Sequence, residues 1–188
     1  MLAAAGVTQA GVTGTVTVAS DYDFRGISLT SKNPTIQASV DYAHDSGFYA
    51  GIWGSNVDFG NLFDENIEID YYLGYGWGAE DGPAWNAYFV YYTDPGAEIP
   101  GSPGFGGTSL DYPEINFGVT YKWFNAKLWY SWDYSNTGKS GYYIDTSGTF
   151  EIKKDSGYGL VVHAGYSTGP YWKDSDSEYF DYSIGVTK

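Results

Sequence analysis

The chain has 188 residues, no cysteine, and 23 acidic against 9 basic side chains, a net charge of −14. The acid excess excludes nucleic-acid binding by phosphate neutralisation, and the absent cysteines exclude disulfides and thiolate metal sites. No run approaches the ~20 apolar residues of a membrane-spanning helix, and mean hydropathy is −0.33, while 26 Gly, 20 Tyr and 20% aromatic residues favour β structure.

The chain opens on "MLAAAGVTQAG", which resembles the tail of an export signal with a small-residue cleavage site near Ala10. Residues 1–11 are therefore expected to be a signal-peptide remnant or a disordered N-terminus, and 12–188 a single domain. Ten segments then alternate with the two-residue period of a strand: 12–24, 34–43, 48–56, 66–77, 85–92, 112–122, 125–134, 142–152, 158–167 and 179–187. Most have the length of a tilted strand crossing a bilayer. No helical periodicity separates them, so antiparallel neighbours are the simplest arrangement.

The connections sort by length. "HDSG" (44–47), "GAEDGPA" (78–84), "WFN" (123–125) and "KKDSG" (153–157) are short. "RGISLTSKN" (25–33), "NVDFGNLFDEN" (56–66), "TDPGAEIPGSPGFGGTSLDYP" (93–113) and "STGPYWKDSDSEY" (167–179) are long and polar or rich in Gly and Pro, and "SNTGKSG" (135–141) is the least distinctive. Alternate connections of a meander lie at one end, so one end carries turns and the other loops, as in outer-membrane barrels.

The two faces of the segments differ. In 66–78, Ile67, Ile69, Tyr71, Leu73, Tyr75 and Trp77 alternate with Glu68, Asp70, Tyr72, Gly74, Gly76 and Gly78. Ile115, Phe117, Val119 and Tyr121 alternate with Asn116, Gly118, Thr120 and Lys122; Phe180, Tyr182, Ile184 and Val186 alternate with Asp181, Ser183, Gly185 and Thr187. A water-soluble barrel needs bulky apolar residues inside and many Lys and Glu outside. The pattern fits the reverse, with the apolar face toward lipid, small and acidic residues within, and Tyr and Trp in interfacial girdles.

"SDYDFRGIS" (20–28), "DYAHDSGFYAGIWGSNVDF" (41–59) and "EIDYYLGY" (68–75), in that order, resemble the TorF-type porin family of bacteria. The likeness covers roughly residues 12 to 188. It implies export, an outer-membrane β-barrel and a pore role. Members usually continue with another hairpin and end in an aromatic residue, whereas this chain stops at "IGVTK". The expected fold is thus all-β, an antiparallel up-and-down transmembrane β-barrel of ten strands, or twelve with a further C-terminal hairpin.

Parity places Asp21, Asp23, Arg25, Asp41, Glu68, Asp70, Lys122, Lys127, Asp133, Asp145 and Asp181 along the pore, with Glu114, Glu151 and Lys153 on the same side. Unpaired buried carboxylates are costly, and the Gly and Ser of this face suggest open space. The expectation is a narrow wet channel, cation-preferring, passing small hydrophilic solutes by passive diffusion. A plug of paired charges is the alternative inside the barrel, with Arg25 as a latch through bidentate carboxylate pairing. The alternative function is a closed structural or interaction barrel that displays extracellular loops, or a subunit beside another membrane complex. A secreted soluble β-domain that binds sugars through aromatics is the third reading. Partners are then membrane lipid and small solutes or cations. Neither His44 nor His163 has a nucleophile placed with it by the sequence, so no enzyme, cofactor or metal is expected; "DSDSE" (174–178) lacks the length and Gly of a calcium loop.

Overall fold

The computed structural model describes residues 10–60, 66–79, 81–99, 108–153 and 155–188; the proposed signal remnant falls almost wholly outside them. Ten long strands follow one another: β1 (Gly11–Ala19), β2 (Thr35–Ala43), β3 (Phe48–Asn56), β4 (Ile67–Gly78), β5 (Ala84–Thr93), β6 (Tyr112–Tyr121), β7 (Phe124–Ser131), β8 (Gly141–Glu151), β9 (Gly159–Thr168) and β10 (Tyr179–Thr187). Each pairs antiparallel with its neighbours in chain order to make one sheet. A short helix α1 (Pro170–Asp174) lies between β9 and β10. The all-β, up-and-down order is as expected; β1 and β10 form no ladder with each other, so the sheet retains two free edges.

The connections that leave β2, β4, β6 and β8 start at one end of the sheet, and those that leave β1, β3, β5, β7 and β9 start at the other. The first set is the turn end, the second the loop end. Two expected strands run too long. The first stops at Ala19, because the Asp21 carboxylate accepts the Ser28 and Thr30 hydroxyls at 2.7 and 2.8 Å and folds the chain back. The seventh stops at Ser131, where the Asp133 carboxylate accepts Gly138 N–H at 2.6 Å and closes a loop.

The sheet is rolled, as the contacts of residues 22–26 show. The Tyr22 ring meets Trp53 of β3 edge-on at 5.4 Å, while Gly26 packs against Asp181 of β10. In a flat sheet β3 and β10 are about 33 Å apart at 4.7–4.9 Å per strand, and the same stretch also touches strands between them, Tyr22 reaching Glu68 and Arg25 reaching Glu114 and the Tyr143 ring. The 20–34 connection therefore lies inside a curled sheet, against its inner face.

Burial separates the faces. On the inner side Glu114, Glu68 and Asp70 are 1%, 4% and 8% exposed; on the outer side Leu73, Leu128 and Phe117 are 48%, 50% and 51% exposed. This is the reverse of what water selects for a sheet's two faces. The buried cluster near the loop end comprises Tyr72, Val90, Tyr92, Tyr112, Tyr134 and Trp172, with Phe24, Trp53, Tyr88, Trp129 and Tyr179 packed against it. Such rings remove large areas from water, with hydroxyls left to find partners.

Candidate functional site

The interior is organised by a small hairpin within the first long connection. Asp23–Phe24 pairs with Ile27–Ser28, leaving Arg25 and Gly26 as a two-residue turn, both with positive φ (55° and 82°). That matches the backbone that joins closely paired antiparallel strands; Gly adopts it freely, whereas Arg25 pays roughly 1 kcal/mol. The conformation aims Arg25 inward. Its Nη1 and Nη2 donate to Glu114 Oε1 and Oε2 of β6 at 2.9 and 2.6 Å. The guanidinium also lies over the rings of Phe24, Trp129 and Tyr143 at 4.6, 5.0 and 4.5 Å. The Tyr92 hydroxyl donates to Glu114 at 3.1 Å. Bidentate pairing, stacked rings and near-complete burial make this a rigid knot rather than a solvated pair.

Tyr22 precedes the hairpin and donates its hydroxyl to Glu68 Oε1 at 3.2 Å. Burial, then the negative charge of Glu68, hold that hydroxyl well above its ordinary pKa, so it stays a donor. Asp21, by contrast, is held below the ordinary carboxylate value by the hydroxyls of Ser28 and Thr30.

A second device recurs along the wall. The Tyr72 hydroxyl of β4 crosses Gly51 of β3 to reach Asp41 of β2. Tyr49 of β3 crosses Gly74 of β4 and bonds Asn86 of β5, whose amide nitrogen donates to it at 2.8 Å. Tyr143 of β8 crosses Gly165 of β9 and donates to Asp181 of β10 at 3.0 Å. In each case a Cβ on the glycine overlaps the tyrosine ring or hydroxyl. These inner glycines are roofed by rings, so they do not mark empty space as the sequence suggested.

Near β8–β10 the groups are charged and wetter. His163 Nδ1 faces Asp145 at 3.2 Å and its Nε2 faces Asp181 at 2.7 Å, with Lys127 Nζ at 3.8 Å from Asp145. The inner residues of the edge strands, Thr13, Thr15 and Thr17 on β1 and Ser183, Gly185 and Thr187 on β10, are exposed. Their register partners Gln37, Ser39 and Asp41 continue this polar strip onto β2.

Of the residues that parity assigns to the pore, Asp41, Glu68, Asp70, Lys127, Asp145 and Asp181 project from strands on the inner side, with Glu114 beside them. Arg25 joins them from the connection rather than from a strand. Asp21 and Asp23 stay in that connection, the latter accepting Gly26 N–H at 2.8 Å, because the alternation ends at Ala19. Asp133 lies in the β7–β8 loop for the same reason. Lys122 belongs to the turn between β6 and β7, with its Nζ over the Tyr121 ring at 5.1 Å. Glu151 is exposed at the end of β8 and accepts Asp155 N–H at 2.7 Å; Lys153 follows in the turn. Asp174 and Glu178 of the acidic loop face Lys139 and Lys173 at 2.9 and 3.9 Å. Among the described residues, no three His, Cys, Asp or Glu side chains gather as metal ligands. Parity puts Tyr72, Trp129 and Tyr143 on the inner side without a role, and Tyr22, beyond the end of the first strand, is the inner residue it misses. Their signal is register, since each tyrosine that crosses a strand needs a glycine there.

A family model described as a bacterial protein of unknown function, Gcw_chp, matches residues 3–188. The chain belongs to that family. The Gcw_chp match thus spans the whole sheet and the inserted hairpin. No curated protein and no solved structure matches the chain.

Proposed function

We propose that this Gcw_chp chain is the wall of an outer-membrane β-barrel through which small hydrophilic solutes, cations in preference, diffuse passively. The observation that carries the reading is the inverted burial: aliphatic residues point outward and carboxylates inward on the same strands. A face of Ile52, Leu73, Ile115, Leu128 and Ile144 is exposed across the middle of the sheet, a larger apolar surface than a water-soluble monomer carries. Outer aromatic pairs flank it at both ends, Tyr75–Trp77 and Trp123–Phe150 toward the turns, Tyr130–Tyr142 and Tyr166–Phe180 toward the loops. That banding suits hydrocarbon bordered by two interfaces. The resemblance to TorF-type porins, the family's bacterial origin and the separation of loops from turns agree with it.

In this reading β1 and β10 close on one another, directly or through further strands, and the passage is eccentric. The inserted hairpin and its rings fill the side lined by β4–β8. The strip of Thr, Ser and Gln on β10, β1 and β2 is left for water, with Asp41 and Asp181 biasing it toward cations. A closed structural barrel is the second reading, favoured by the buried Arg25–Glu114 knot.

Planar-bilayer recording of the refolded protein tests both. The expected result is a small cation-selective current that Thr15→Trp reduces on the open side. Absence of current at every voltage removes the pore and leaves the structural barrel; extraction from cells without detergent removes both.

A further inference from the structure

Glu68 and Asp70 stand two residues apart on the inner side of β4, near the loop end, each more than nine-tenths buried. Among the described residues no Lys, Arg or His forms an ion pair with either. Arg25, which enters the same interior, is committed to Glu114 through both terminal nitrogens. Glu68 Oε1 accepts the Tyr22 hydroxyl, but Glu68 Oε2 and Asp70 Oδ1 have no hydrogen-bond partner. Asp94, just beyond β5, adds to the negative potential at both. Desolvated carboxyls of this kind are stable only when neutralised, by a proton shared between the two or by a cation.

The surroundings select the kind of cation. Trp53 and Tyr92 are the register partners of Asp70, Ser55 is that of Glu68, and Tyr22 packs on Trp53. Rings, one hydroxyl and two buried carboxyl oxygens without a donor therefore lie together, shut off from water. Ca²⁺ takes six to eight oxygens and Mg²⁺ keeps several waters, and no triad of metal-ligating side chains is present among the described residues. A single positive charge of low hydration cost fits two carboxylate oxygens beside aromatic faces.

We propose that Glu68 and Asp70 form a binding site for one monovalent alkali cation. Occupancy removes most of the repulsion between the two carboxylates and locks the Tyr22 connection onto β4. The site does not depend on ions crossing the barrel, so it stands or falls separately from the pore.

The test uses the full chain in detergent micelles, with thermal unfolding followed in KCl, NaCl or choline chloride at equal ionic strength. At ten times the dissociation constant, K⁺ or Na⁺ raises the midpoint of the native protein by about 4 °C over choline. The rise disappears in the Glu68→Gln, Asp70→Asn double variant, which is expected to match or exceed the native midpoint in choline. Equal midpoints in the three salts, or a rise that survives in the double variant, overturn the site. If the variant does not fold, native crystals grown with Tl⁺ decide: anomalous density between Glu68 and Asp70 supports the site and its absence overturns it. Binding without bilayer current removes only the pore; current without binding removes only this site.

Discussion

The two sides of the interior teach different lessons about what fills a curled sheet. From β4 to β8, large rings and a charged pair are packed against an inserted hairpin, and Glu114, Val90 and Ser131 are shut off from water. From β9 through β10 and β1 to β2, the inner residues are mostly Thr, Ser, Gln, Gly and a few charges, and those of both edge strands are exposed apart from Ala19, Tyr179 and Asp181. The outer face is apolar all round, so the difference is not one of hydropathy. It comes from one connection: the chain leaving β1 folds back across the interior, and its hairpin needs a wall of rings to rest on. Toward β10, where the tip meets the wall through Gly26 and Asp181, and on β1 and β2 beyond it, the inner residues stay small or polar.

The Arg25–Glu114 knot is where the contrast breaks most visibly. Arg25→Ala leaves Glu114 buried and unpaired, which costs about 3–5 kcal/mol by the behaviour of buried pairs that lose one partner. Unfolding in detergent, followed by loss of the compact heat-resistant band on a gel, reads the loss. Replacing both partners, Arg25→Met with Glu114→Leu, recovers most of it, because no lone charge remains. A full loss in the double variant means that the contacts of the guanidinium with rings, not the charge pair, hold the hairpin.

Glycines give a finer comparison. Gly165→Ala places a methyl group against the Tyr143 hydroxyl and the Asp181 carboxylate, whereas a Cβ at Gly185, on the inner side of β10, meets nothing within 4 Å. The first is expected to cost about 1–3 kcal/mol, as overpacking does, and to free Tyr143 from Asp181; the second is expected to stay within about 0.5 kcal/mol of the native protein. Equal effects at both positions, measured by the same unfolding assay, erase the distinction between roofed and open glycine.

The sheet was legible in the sequence because two-residue alternation survives in nearly every strand. β3, β4 and β10 begin or end within one residue of the expected limits, and alternate connections do differ in length. The inner acids Glu68, Asp70, Asp145 and Asp181 followed from parity alone. What parity misread lies where alternation stops. Asp21, Asp23 and Asp133 look like continuations of strands, but carboxylates near Gly and Ser close local hydrogen-bonded turns instead. The roofed glycines were illegible for another reason: their meaning depends on which tyrosine stands across or diagonal on the next strand, and register is a relation between distant segments. Strand closure is likewise invisible to local pattern.

Asp21 yields the smallest expected effect and the one that isolates the connection from the wall. Its carboxylate is exposed enough to titrate freely, and its pKa lies below the ordinary value because Ser28 and Thr30 donate to the ionised form. The sign follows from linkage: a group with a lower pKa folded than unfolded stabilises the fold above the unfolded value, about 3.9, and loses that contribution as pH falls through the folded value. Asp21→Asn is therefore expected to lower the unfolding midpoint slightly at neutral pH, with the gap from the native protein narrowing to nothing once the medium is more acidic than the folded pKa. A gap that stays constant across this range means that Asp21 acts through shape and not charge. An unaltered bilayer current in Asp21→Asn at neutral pH further separates the fold of the connection's outer arm from the packing of its hairpin tip.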